Sequence, residues 1–431
     1  MSEEVKVVEP EENKYAIEKF NTEMFGEDTE FHEKADVTNL RERLAAIPIA
    51  TPDMSPDQLR QICVSYIKLS VSFQWIADRY MAFTNKPEKT FYKGKLYGGI
   101  PYINSASGNL YRILEYYNDE TGELDCSFFH KNPDLFGTAC SGTASIAWQR
   151  VINSVETSWT HSMNAAHGFI PVGPYTYDYS QKQIWGIIKN EKKRHYYYNT
   201  KNICKDNGEQ VMYESYALTK PADCYSSNGH VRLSIEVPQV FRMEDGTIDG
   251  EKSFVMLAEQ GLYTKGDYHK RKTKDGTDYL IRGNDGGKFT FAELFNAGYL
   301  VHTFKEFLGL KKFDKSEIKL SSVEGCEDDT VLSDRVTCNY PISDLFMKVK
   351  NEKGEVVHES VFRVYPHYIR SVNLEKALPT DELRAMEVKS PLTLEIEAQI
   401  STGEKKSVYC GPIKKEKKSS PPEAPAEEAK A

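Results

Sequence analysis

A chain of 431 residues exceeds one average domain, so two folded units are expected. With 39% hydrophobic and 28% charged residues it can bury a sizeable core, which excludes wholesale disorder. The formal net charge of −9 argues against general nucleic-acid binding.

The acidic start Met1-Ser2-Glu3-Glu4-Val5 has no apolar stretch behind it, so no secretory signal is expected. No run reaches the length of a membrane span. Eight cysteines without a CxxC pair read as reduced thiols, and neither a metal site nor a cofactor is expected. The default compartment is cytoplasmic, the alternative being export by a route the sequence does not reveal.

Residues 1–50 are charged and weakly periodic, a loose arm with a short helix expected near 39–46. Ser55-Pro56-Asp57-Gln58 supplies an N-cap, a first-turn proline and a capping-box glutamine. Behind it Leu59, Ile62, Tyr66, Leu69, Phe73, Ile76 and Tyr80 recur at steps of three and four, which predicts an amphipathic helix. Trp75 lies off that stripe and is a candidate for lining a cleft. Tyr97-Gly98-Gly99-Ile100-Pro101-Tyr102 is turn-prone.

Thr138, a plausible N-cap, precedes Cys140, from which Ala144, Ala147, Trp148, Val151, Ile152 and Val155 form an apolar helical face. A cysteine in the first turn of a buried helix feels the positive end of the helix dipole, which favours its thiolate. The aromatic stretch around 160–215 reads as an insertion, either a substrate wall or a surface excursion. Residues 229–237 alternate as a half-buried strand, turns follow at Glu244-Asp245-Gly246 and Asp249-Gly250, and 253–260 reads as the returning strand. That hairpin brings Glu259 toward His230, with Gln260 the alternative because strand neighbours point oppositely. Residues 265–288 read as a loop and 290–308 as helical. Short alternating strands then fill 313–412, an antiparallel sandwich, before a Lys/Glu/Pro/Ala tail at 413–431 that is expected to be disordered.

Cysteine attack on a carbonyl needs a thiolate, a histidine to exchange the proton, and a third polar group to hold the imidazole. Helix-cysteine, strand-histidine and strand-carboxylate occur here in that order, as Cys140, His230 and Glu259. Asp125-Cys126-Ser127 offers a second cysteine, Cys126, but no helical pattern follows it. His161, His167 and His269 read as ordinary core, surface or loop histidines.

These segments resemble the NlpC-type papain-like cell-wall peptidases, and the hairpin is also similar to that of CHAP amidases. Tyr97–Tyr102 looks like the family's Gly-x-Pro-Tyr segment, and Ala139-Cys140-Ser141-Gly142 like its Asp-Cys-Ser-Gly nucleophile. Pro221-Ala222-Asp223 and Gly229-His230-Val231 resemble its Pro-Gly-Asp strand and Gly-His-Val base. The resemblance implies an α+β fold with a papain-like domain and antiparallel sheet over 51–312, ahead of a small all-β Ig-like sandwich. It implies a cysteine peptidase or amidase acting on a peptidoglycan stem peptide or other isopeptide. On that reading Cys140 is the nucleophile, His230 the base and then acid, and Glu259 the orienting group; Tyr102, Ser141 and Trp75 are candidates for contacting substrate. Ala139 departs from the family's aspartate, which bears on recognition of a substrate amine. The alternatives are an inactive module gripping a glycan or peptide, and an acyltransferase of the same superfamily. The sandwich is then a candidate for docking a protein partner.

Overall fold

The computed structural model describes residues 40–415 apart from 80, 83–89, 104–107, 128–132, 156–159, 161–162, 165–166, 178–199, 262–268, 273–277, 282 and 324–328. Most of the arm, Tyr80, Trp185, His161, Cys326 and the tail beyond 415 therefore lie outside the described residues. The fold is α+β, and the chain divides into two compact units. The first runs to Lys315, with residues 365–368 and 401–403 added; the second takes the remainder from Ser316.

In the first unit, helix Pro56–Ser72 opens with the expected capping box: Ser55 accepts from the Gln58 amide, and the Gln58 side chain accepts from the Ser55 amide. It stops at Ser72, two turns earlier than the spacing predicts. Phe73 turns extended and Gln74–Ala77 becomes a strand, so Trp75 and Ile76 belong to a sheet. That strand pairs antiparallel with Leu96–Gly98 and parallel with Glu123–Leu124. Strands His269–Lys272 and Asp278–Ile281 complete a five-stranded sheet where a loop was expected.

The second sheet of this unit has six antiparallel strands, in the order Gly283–Thr290, Phe254–Gln260, Val231–Ser234, Cys224–Ser226, Leu300–Thr303 and Ile170–Pro171. Helices Pro56–Ser72 and Cys140–Gln149 pack on it. The expected long helix after residue 290 is short, Phe291–Ala297. Gly298, at φ +77°, ends it in the left-handed conformation that suits glycine, and the chain returns as a strand. The aromatic segment before residue 217 packs inward where it is described. Tyr175 joins Tyr213, Tyr216, Phe291, Leu294 and Val301 in one buried cluster, with Tyr177 packed against it, while the rest of the stretch, 178–199, lies outside the described residues.

Two buried groups tie the helices to the sheet. Arg60 donates to the Asp223 carboxylate at 2.7 Å and to the Pro221 carbonyl at 2.6 Å, both side chains being 2% exposed. Trp148 donates through Nε1 to the Ala222 carbonyl at 2.9 Å. Both contacts converge on residues 221–223, which lead into strand Cys224–Ser226.

The second unit carries strands Ile318–Ser321, Arg335–Cys338 and Ser371–Asn373 in one sheet. Its other sheet orders Val356–Arg363, Ile342–Asn351, Leu392–Ile400 and Lys405–Pro412. Leu345, Met347 and Val349 pair in register with Ala398, Ile396 and Leu394, and all six are buried. The opposite face is laced by Lys348–Glu359, Lys350–Glu395 and Lys405–Glu397 ion pairs, as the period of two requires. Helix Thr380–Glu387 was not signalled. Ile413 is fully buried, so packed chain extends past the expected start of the tail.

Candidate active site

Helix Cys140–Gln149 begins at the cysteine, and all ten of its residues are buried. Its N-cap is Ala139, with no side-chain cap, not Thr138. Thr138 is committed elsewhere: it forms a parallel bridge with Tyr102, its amide donating to the Pro101 carbonyl and its carbonyl accepting from the Ile103 amide. The N-cap side chain thus offers the helix amides no acceptor, and the Ser141 amide bonds the Cys140 side chain.

That bridge also fixes Tyr102 beside Cys140. Its approach is set upstream by Gly99, at φ +77°, whose amide bonds the Phe73 carbonyl at 2.7 Å and whose carbonyl accepts Trp75 Nε1 at 2.8 Å. The Tyr102 hydroxyl reaches Cys140; burial first, and then the thiolate's charge and the hydrogen bond to it, push the phenol well up. Trp75, by contrast, is fully buried against Phe91 and Tyr97. The structure thus corrects its assignment to a cleft wall: it is a core residue.

His230 immediately precedes strand Val231–Ser234. That strand pairs with Phe254–Gln260 through Leu233↔Ala258, and one step further the same register sets Arg232 across from Glu259. Residues two apart share a face, so His230, Arg232 and Glu259 converge. His230 Nε2 lies 2.6 Å from Glu259 Oε2, and Arg232 Nε donates to that same oxygen at 2.7 Å. The His230 side chain also hydrogen-bonds that of Cys140. Gln260 points the other way, its amide donating to the Ile100 carbonyl. The choice between the two neighbours is thereby made in favour of Glu259 as the histidine's partner.

The charges reinforce one another. Burial disfavours a charged Cys140, but the bond and charge of His230 and the amides of Val231 and Ser141 outweigh it and pull the thiol below its ordinary value. Burial likewise disfavours imidazolium, yet hydrogen bonds to Cys140 and Glu259 lift His230 to about 9. Glu259, its side chain 1% exposed, is held at about 2: burial would raise it, and His230 and Arg232 overcome that. At neutral pH Glu259 is a carboxylate and His230 an imidazolium, and both bias Cys140 toward its thiolate.

Among the described residues Cys126 has no histidine partner. It is buried, its amide bonds Asp78 at 2.8 Å, and burial followed by that carboxylate's charge pushes its thiol up. Ser141 is buried and contributes its amide. His167 is exposed. The sequence reading missed Arg232; a His-x-Arg spacing on a strand, which puts both side chains on one face, was the available signal. Among the described residues no group of three or more His, Cys, Asp or Glu is placed to hold a metal ion, and no helix is long and apolar enough to cross a membrane. Compared with known proteins, the chain matches no protein-family model and no curated protein.

Proposed function

We propose that this protein is a cysteine peptidase or amidase that cleaves an amide bond through an acyl-enzyme. The observation that carries the reading is His230 held between the Cys140 sulfur and the Glu259 carboxylate. The thiolate attacks the amide carbonyl carbon, and the carbonyl oxygen takes the charge facing the uncapped helix amides and the Tyr102 hydroxyl. The C–N bond breaks as the imidazolium gives its proton to the leaving amine. Water then attacks the thioester, His230 takes its proton, and the C–S bond breaks to restore the thiolate.

A cysteine-headed helix packed on an antiparallel sheet that carries the histidine and the carboxylate supports the papain-like, NlpC-type assignment. In the second unit the first, second and fifth strands form one sheet and the fourth, third, sixth and seventh the other. That division supports an Ig-like sandwich, suited to docking a partner. The substrate proposed from the resemblance is a peptidoglycan stem peptide or related isopeptide.

One observation favours a second reading, an inactive binding module: Cys140 keeps only 6% of its surface, against 25% for the His230 side chain. A single experiment separates the two. The protein and its Cys140→Ala variant are incubated with a muropeptide mixture, with and without added amine, and the products weighed. Cleavage by the wild type alone supports the hydrolase, amine in the product supports acyl transfer, and no change of mass in any arm supports the binder.

A further inference from the structure

Glu259 Oε2 receives two cations at once, His230 Nε2 at 2.6 Å and Arg232 Nε at 2.7 Å. Cysteine-histidine-carboxylate chemistry needs only the first. The arginine is fixed for the second with unusual firmness: its guanidinium lies 3.9 Å from the Phe289 ring centroid and 4.6 Å from that of Tyr299. Its side chain is 15% exposed, so its charge is poorly screened.

We propose that Arg232 is a positioning residue that neutralises part of the Glu259 charge, so that His230 can still release its proton to the leaving group. This rests on the hydrolase reading above. A buried carboxylate given wholly to one imidazolium, with a thiolate on the other side, would grip that proton from both ends. A general acid held so tightly transfers poorly, because efficiency depends on an acidity near the working pH. The arginine offsets one of the two negative charges without touching the ring. The Phe289 and Tyr299 rings hold the guanidinium where its charge acts on Oε2.

Among the described residues, His230 meets Cys140 from the cysteine helix and Glu259 from its own sheet, Arg232 meets that carboxylate, Tyr102 lies beside Cys140, and Tyr299 lies near Arg232 and Glu259. Burial keeps both phenols protonated through the working range, so they add no charge. The imidazole's titration therefore reports the balance among Cys140, Glu259 and Arg232.

The test is NMR of the full chain labelled at the histidine rings, with the His230 signal assigned by its loss in His230→Asn. Arg232→Gln keeps a donor for Oε2 but removes the charge, and it should raise the His230 midpoint by about one pH unit. Arg232→Lys keeps the charge and should leave the midpoint in place. An unmoved or lowered midpoint in Arg232→Gln overturns the proposal, and so does a rise of similar size in Arg232→Lys. Should Arg232→Gln fail to fold, Arg232→Met, which keeps an apolar stem against the two rings and removes the charge, is read by the same criterion. Selective alkylation of wild-type Cys140 at pH 6, run alongside, keeps the two readings apart. Its absence counts against the hydrolase, whereas alkylation with an unmoved midpoint counts only against the role of Arg232.

Discussion

Replacing Glu259 by glutamine removes one charge and almost no volume, and the structure sets the size of the effect. The carboxyl is lowered from 4.5 to about 2, roughly 3 kcal/mol in favour of its charged form after the cost of burial is met by the cations around it. If the imidazolium takes about half of that, its affinity for the proton falls by roughly one unit, and the thiolate loses the same support because the two charges stabilise each other. The ion-paired fraction at pH 6 should then fall by roughly threefold to tenfold. Iodoacetamide alkylation, followed at Cys140 by peptide mass, reads that fraction directly. Wild type should react at pH 6 ahead of the other cysteines, and Glu259→Gln should be slower by that factor. At pH 10 the two rates should agree, since the thiol ionises there whatever its neighbours. Equal rates at pH 6 would mean that the carboxylate does not support the thiolate, and the electrostatic argument for the triad would be lost.

The same carboxylate makes stability depend on pH. Its folded value is depressed, so its contribution is present above about pH 4.5 and is lost as pH falls through about 2. Urea midpoints taken at pH 6 and pH 3 should fall further for wild type than for Glu259→Gln; parallel lines would contradict this. Asp223→Asn should cost about 3–5 kcal/mol, because it leaves the Arg60 charge buried without its carboxylate. Denaturant unfolding measures that, and a loss under about 1 kcal/mol would show the pair to be dispensable. Gly99→Ala should cost roughly 2–4 kcal/mol, since φ is +77° and an added Cβ would stand 2.6 Å from the Val71 carbonyl oxygen. A thermal midpoint unchanged from wild type would refute it.

How much of this was legible in the sequence depends on distance along the chain. The capping box at Ser55 and Gln58 is a four-residue affair and reads correctly. The strands around Leu345–Val349 and Leu392–Ile400 announce themselves by alternation, because one face is buried and the other is lined with ion pairs. The helix start at Cys140 reads correctly too, but its cap does not: Thr138 is claimed by Tyr102, a partner 36 positions away that no local rule reveals. The choice between Glu259 and Gln260 required a cross-strand register, which sequence does not carry. Gly283–Thr290 was misread as a loop because its register shifts between Asn284 and Gly287, and glycines at such a bulge depress every strand signal. Trp75 was placed on a helix that ends three residues before it, so its inward direction was invisible.

The parallel bridge between Tyr102 and Thr138 has a mechanical consequence. Two backbone hydrogen bonds join the strip carrying the phenol to the loop that presents the sulfur, so neither can shift without dragging the other. The Tyr102 side of the candidate site is therefore stiff. On the proposed function, room for a bulky acyl group is expected on the side bearing the imidazole, where the backbone turns between Ser227 and His230. Covalent probes with substituents directed toward that turn should be tolerated, while those directed toward the phenol should be rejected.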